Sequence, residues 1–343
     1  MSNKYISKNK INIFAFVVLL IPIILIAGCK KEAKTVETPD NISHEIIVDR
    51  SAYDASNEVI NDISEYDASN EVINDISEYG VSDEVGNDES EYDIRNEINI
   101  DKTWQYADFS AINSGCATLS RALSSRKDII IGINAGHGTK GGDKVKTYCH
   151  PDKTPKVTGG TTSEGAIKSI AVSGGMTFLD GTKESDITLK VAQILKEKLL
   201  SEGYDVLMLR DSDDVQLDNI ARTVICNNVA ACHIAIHFDG DNLDYDKGCF
   251  YISTPDGIKN MAPVSSVWEK HEMLGKSLIT GLKENGCKIY KDGSMSIDLT
   301  QTSFSTVPSV DIELGNAASK HDDESLSILA DGLLYGINQF FDK

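Results

Sequence analysis

The sequence lacks any stripe of basic residues. Its 33 Lys and Arg stand against 53 Asp and Glu, for a net charge of −20. Neutralising phosphates needs Lys and Arg clusters, so the balance argues against nucleic acid as a partner. There is no Cys-x-x-Cys pair among the 7 cysteines, which argues against a structural zinc site. No Gly-Lys-Ser or Gly-Lys-Thr follows Gly138 to Gly142, so that glycine-rich stretch is not a phosphate loop. The acidic stretch over residues 53–91 lacks the ligand spacing of a calcium loop.

What is present begins with Lys4, Lys8 and Lys10, followed by an apolar run from Ile11 to Gly28 broken by Asn12. A basic segment before such a run is the layout of an export signal. The run ends Leu25-Ile26-Ala27-Gly28-Cys29, which resembles the lipobox of bacterial lipoproteins, with Ile26 where Leu is more usual. The resemblance implies a signal peptide over residues 1–28 and a lipid on Cys29. The alternative is an uncleaved helix, since 18 residues can just span a bilayer. Either way the rest of the chain lies outside the cytoplasm, held at the membrane. Cys116, Cys149, Cys226, Cys232, Cys249 and Cys287 remain. Nothing in their spacing chooses a disulfide pairing, and buried free thiols are the plainer expectation.

Residues 53–65 read YDASNEVINDISE, residues 66–78 repeat them unchanged, and 79–91 form a degenerate copy. On a helix a period of 13 turns the pattern by roughly 220°, so no continuous apolar stripe forms. A solenoid or coiled coil is therefore not expected. Between Ser51 and Ile100 there are 15 Asp or Glu and one Arg, Arg95. Self-repulsion at that density predicts a disordered acidic spacer over residues 29–105, spanning about 50 Å as a flexible chain. In residues 106–127 the apolar positions are loosely helical, which predicts a leading helix or linker.

From Asp128 the pattern changes to alternating strands and helices. Ile129 to Ala135 is an apolar run ending at Gly136-His137-Gly138, the signature of a buried parallel strand delivering a histidine to its carboxyl edge. A long Gly- and Thr-rich loop follows, Thr139 to Lys183. Helical periodicity then covers Ile187 to Leu199, Leu217 to Val224, Val264 to Asn285 and Asp322 to Phe340. Strand patterns cover Tyr204–Leu209, Ala231–Ile236, Gly248–Ile252, Ile297–Leu299 and Ser309–Leu314. This alternation predicts a single α/β domain over residues 128–343, with a mostly parallel twisted sheet flanked by helices on both faces.

His137 and His237 each end an apolar strand, Glu313 lies near the end of another, and Glu184 opens the first helix after the long loop. In open α/β sheets, sites form at the carboxyl ends of strands. Two His and one carboxylate are a common catalytic zinc set, and a second carboxylate beside it can move a proton. On spacing alone, unconnected polar residues remain the alternative. Glu164, within the long loop, is a rival carboxylate. Cys149-His150 is a second, weaker candidate ligand pair.

Four segments follow one another in order: IGINAGHGTKGGD, ESDITLKVAQILKEKLLSEGYDVLMLRDSDD, LDNIARTVICNNVAACHIAIHFD and PSVDIELGN. Together they resemble the zinc-dependent N-acetylmuramoyl-L-alanine amidases of the bacterial cell wall, over about residues 128–342. The resemblance implies one Zn2+ held by His137, Glu184 and His237, and Glu313 as the catalytic glutamate. It implies cleavage of the amide between the lactyl group of N-acetylmuramic acid and L-alanine in peptidoglycan. Arg210, Arg222 and Asn227 match further positions, where a supporting role is implied.

Three departures stand out against that pattern. His137 and Glu184 are separated by an insertion at about residues 143–180, which is expected to shape the substrate groove or to cover it. Asp239 replaces a usual Asn, and Ala231-Cys232 replaces a usual Asp-Leu. Two other functions fit the same residues. One is a catalytically silent peptidoglycan-binding lipoprotein; the other is a zinc hydrolase of this fold acting on another amide. The sequence gives no oligomeric state.

Overall fold

Alternating apolar segments of the kind just described can bury both faces only by stacking helices on a sheet, and the chain does so. The structure, a computed structural model, describes residues 96–342. The export signal, Cys29 and the 13-residue repeats lie outside the described residues. In chain order the strands and helices are β1 (Asn96–Asn99), β2 (Cys116–Ser120), β3 (Ile130–Ala135), β4 (Lys146–Tyr148), β5 (Lys168–Ile170), α1 (Glu184–Ser201), β6 (Asp205–Met208), α2 (Asn219–Val229), β7 (Cys232–Asp239), β8 (Cys249–Ser253), α3 (Trp268–Glu284), β9 (Ile289–Ser296), α4 (Thr300–Phe304), β10 (Ser309–Asn316) and α5 (Asp323–Phe341).

Eight strands form one sheet in the order β1-β2-β6-β3-β7-β10-β8-β9. The central four, β6-β3-β7-β10, are all parallel. β2 and β8 join that block antiparallel, and β9 lies parallel to β8. The expected mixed α/β domain with a mostly parallel sheet is therefore what the chain forms.

Side-chain alternation along the strands sends the two faces to different partners. Ile131, Ile133 and Ala135 of β3 pack in one core with Val191, Leu195 and Leu199 of α1, and α3 and α5 complete that layer. Leu207 and Leu209 pack on the other face, against Ala221 and Ile225 of α2. Asp218 caps α2 by accepting from Ala221 N at 2.8 Å, and its other oxygen accepts from Ala111 N and Ile112 N. That single side chain ties the segment before the first central strand to the domain. Among the described residues no helix is long and apolar enough to cross a membrane.

The structure corrects three expectations. Residues 96–127 are not a spacer end and a leading helix. They supply β1 and β2, two antiparallel strands at the sheet edge, with only a short helical turn at Ala107–Phe109. β1 is a short exposed edge and β2 has only Ala117 and Leu119 as inward apolar residues, too short a period to declare a strand. The strand expected at 297–299 lies earlier, at β9, whose polar sequence KDGSMS suits an exposed edge. The long loop is structured: β4 and β5 form a two-stranded sheet of their own. All six cysteines of the domain are free thiols, and Cys149, Cys226, Cys232 and Cys249 are buried.

Candidate functional site

Because β3, β7 and β10 are adjacent and parallel, the residues at their carboxyl ends are brought to one place. His237 and Glu313 stand opposite each other in register on β7 and β10. His137 follows β3 by two residues, and Glu184 is the first residue of α1, where the helix dipole favours an anion. The side chains converge. His137 Nε2 lies 2.8 Å from Glu184 Oε1, and His237 Nδ1 lies 3.0 Å from each of those atoms.

Each corner of this triangle is held from outside. His137 Nδ1 faces the Ser173 carbonyl at 2.9 Å. A carbonyl only accepts, so Nδ1 carries a hydrogen, and the neutral ring then turns its Nε2 lone pair to the triangle. Glu184 Oε2 accepts from Met176 N at 2.7 Å, and Oε1 accepts from Phe238 N at 3.0 Å. Two acceptors, His137 Nε2 and Glu184 Oε1, thus face each other across a buried gap. That arrangement is unfavourable unless a proton or a metal ion lies between them. The donor set is right for zinc, which is bound by His nitrogen and carboxylate oxygen. His137, Glu184 and His237 form the one group of this kind among the described residues.

The electrostatics agree. Burial would raise Glu184, but hydrogen bonds and charge from His137 and His237 hold it well below the usual carboxylate range. Burial would lower His237, but the charge of Asp311 and the contact with Glu184 lift it to about 10. A field that binds a proton this firmly also favours a metal ion in its place. Burial pushes Glu313 well above the usual range, and the charge of Asp311 adds to that. Glu313 Oε2 is buried with no hydrogen-bond partner, as is Asp311 Oδ1.

Backbone shape makes the close approach possible. His137 is itself left-handed, with φ 66°. A Cβ on Gly136 would come within 2.4 Å of the His237 ring. Gly175 has φ 84°, and a Cβ there would meet His137 at 2.8 Å and Glu184 at 3.0 Å. Gly175, Ser173 and Met176 all belong to the insertion. Its far end therefore buttresses two corners of the triangle, a contribution sequence reasoning missed; its trace was the Gly174-Gly175 pair nine to ten residues before Glu184.

Arg210 and Arg222 are both buried and both work on the backbone around His137. Arg210 donates to Ala135 O, Gly136 O and Ser185 O. Arg222 donates to His137 O at 2.7 Å and to Asn134 Oδ1 at 2.8 Å. Asn227 lies elsewhere: it donates to Phe304 O and accepts from Thr306 N, joining α2 to the end of α4. Asp239 pairs with the buried Lys247, which also reaches Asp241 at 3.0 Å. Glu164 is exposed and has no place in the site. His150 is not a ligand either. It is fully buried and bonds Asp298 at 2.9 Å and Thr154 at 2.9 Å.

The triangle opens into a cleft of about 770 Å³. The sheet edge with Asp311 and Glu313 forms one side; the insertion, through Lys156, Thr161, Ser169 and Ile170, forms another. A cleft of this size takes an extended substrate. A triangle of ligand-type atoms beside an unpartnered carboxylate is an arrangement suited to hydrolysis once an ion is held there.

The family described as N-acetylmuramoyl-L-alanine amidase matches residues 131–331 of the chain. Among solved structures, the N-acetylmuramyl-L-alanine amidase Ami1 from Mycobacterium smegmatis matches with a TM-score of 0.52 at 17% identity, covering 62% of this chain and 96% of that one. The apo form of Ami1 from Mycobacterium abscessus matches with a TM-score of 0.51 at 20% identity, covering 62% and 98%. At these identities the likeness is one of fold. No curated protein matches the chain.

Proposed function

The chain belongs to the N-acetylmuramoyl-L-alanine amidase family, and on that premise we propose that it is a zinc-dependent, lipid-anchored hydrolase of peptidoglycan. The bond cut is the amide between the lactyl group of N-acetylmuramic acid and L-alanine of the stem peptide. His137, Glu184 and His237 hold the ion, and Glu313 is the catalytic glutamate. The observation that carries this reading is the triangle of buried, cation-seeking atoms set in register with an unpartnered carboxylate.

Bound zinc supplies an activated water and polarises the substrate carbonyl. The chain's own residues do the rest. Glu313 Oε2, with no internal partner, accepts a proton from the attacking water as its oxygen bonds to the carbonyl carbon. The same carboxyl then gives that proton to the nitrogen of L-alanine as the carbon–nitrogen bond breaks. The products are a lactyl carboxylate and a stem peptide with a free amino terminus. Ser173 and Met176 keep His137 and Glu184 in place during this exchange. Arg222 pins the His137 carbonyl. The insertion gives the stem peptide a packed wall.

The layout of residues 1–29 supports export, cleavage before Cys29 and lipid attachment there. The acidic segment that follows then sets how far the domain reaches from the membrane toward the wall.

Digestion of purified peptidoglycan by the full-length chain tests the reading. Mass spectrometry is expected to show stem peptides beginning with free L-alanine, lost on chelation and restored by zinc. Products that keep the lactyl–alanine amide would point to another amide. No release by a zinc-loaded chain would point to a silent binding protein.

A further inference from the structure

Every corner of the metal triangle but one has an evident holder. His137 is set by Ser173 O, and Glu184 by Met176 N and Phe238 N. His237 presents Nδ1 to the triangle and so needs its hydrogen on Nε2. Facing that nitrogen, at 3.6 Å, is Asp311 Oδ2. Among the described residues no group hydrogen-bonds Nε2, and this carboxylate is the one acidic group within 4.0 Å of it. At 3.6 Å the pair is an ion-pair contact, roughly half an ångström from a hydrogen bond.

The strand delivers Asp311 to this spot by alternation. Val310, Ile312 and Leu314 of β10 go into the core, while Asp311 and Glu313 line the cleft. Across from Asp311 on β7 stands Ala235, with only a methyl group, two residues before His237 on the same strand face. The rest of the structure gives Asp311 nothing. Its Oδ1 is buried with no partner. A buried, half-satisfied carboxylate is unfavourable for folding, so its place is not explained by stability.

We propose that Asp311 is a positioning residue for His237, accepting from Nε2–H so that Nδ1 is aimed at the metal. This rests on the reading of the triangle as a zinc site. Ligating histidines commonly give their other N–H to a carboxylate, which fixes tautomer and ring orientation.

The test compares full-length wild type with Asp311→Asn and Asp311→Leu. Zinc affinity is read by competition with a chromogenic chelator, ring orientation by the visible spectrum of the cobalt(II)-loaded chain, and stability by melting the metal-free chain. Asp311→Leu is expected to weaken zinc binding by about 10- to 100-fold and to shift the cobalt spectrum. It is also expected to melt at or above the wild-type temperature, with Asp311→Asn in between. Zinc affinity within twofold of wild type in both variants, with an unchanged cobalt spectrum, overturns the role. So does a lower melting temperature with unchanged affinity, which is the mark of a structural residue. If wild type itself binds no zinc, the reading of the triangle fails and Asp311 falls with it. If wild type binds one zinc and the variants bind it equally, Asp311 alone is wrong.

Discussion

Glu313→Gln is expected to keep its zinc and lose turnover, with kcat falling by about 10²- to 10⁴-fold, the usual worth of a general acid–base group. Gln matches the shape of Glu but cannot take a proton. The side chain stands outside the His137–Glu184–His237 triangle, so zinc content per chain stays at the wild-type level. Glu313 Oε2 makes no hydrogen bond in the fold, so replacing the carboxyl with an amide leaves no partner stranded. The melting temperature should therefore hold or rise. Because the loss falls on the chemical step, KM should change little. Steady-state kinetics on a purified muropeptide, paired with elemental analysis, reads both quantities. Normal kcat would remove Glu313 from the reaction; loss of zinc would make it a ligand.

The second large effect is expected at Asp298, which joins the insertion to the rest of the domain. It is fully buried between β9 and α4, and its carboxylate takes His150 Nε2 at 2.9 Å and Val157 N at 2.8 Å. Its backbone carbonyl accepts from Lys156, and its own N–H donates to Thr158 Oγ1 at 2.8 Å. Burial would raise this carboxyl, but hydrogen bonds from His150 and Val157 and the charge of Lys156 hold it below its usual range. Asp298→Ala leaves the buried Lys156 without its charge partner and His150 without its acceptor. Breaking such a buried pair costs about 3–5 kcal/mol, or roughly 6–20 °C in Tm for a domain of this size. The insertion wall should loosen, raising KM more than it lowers kcat. Asp298→Asn, which can still accept from His150, should lose less. Calorimetry and muropeptide kinetics check both parts. A Tm and KM matching wild type would show that the insertion is held some other way.

How much was legible depended on how strongly each segment was periodic. β3 and β7 are apolar runs ending in a histidine, and buried parallel strands have that pattern, so His137 and His237 stood out. Glu184 followed from the order of segments. The register that sets Glu313 beside His237 joins residues far apart in the chain, and no local pattern encodes it. Asp311 does not stand out in the sequence, because one acid among Val310, Ile312 and Leu314 fits the exposed side of a strand as well as it fits a site. Its spacing of two from Glu313 was the available signal. Ser173, Gly175 and Met176 act largely through backbone atoms and the absence of a side chain, which residue identity barely records. The insertion looked like an open loop because its order comes from a buried polar hub at Asp298 rather than from an apolar stripe.

The most direct measurement is a crystal structure of the zinc-loaded chain with anomalous data at the zinc edge. One zinc is predicted within about 2.0–2.2 Å of His137 Nε2, Glu184 Oε1 and His237 Nδ1. Zinc bound elsewhere, or a zinc-saturated chain with the triangle empty, would contradict the account.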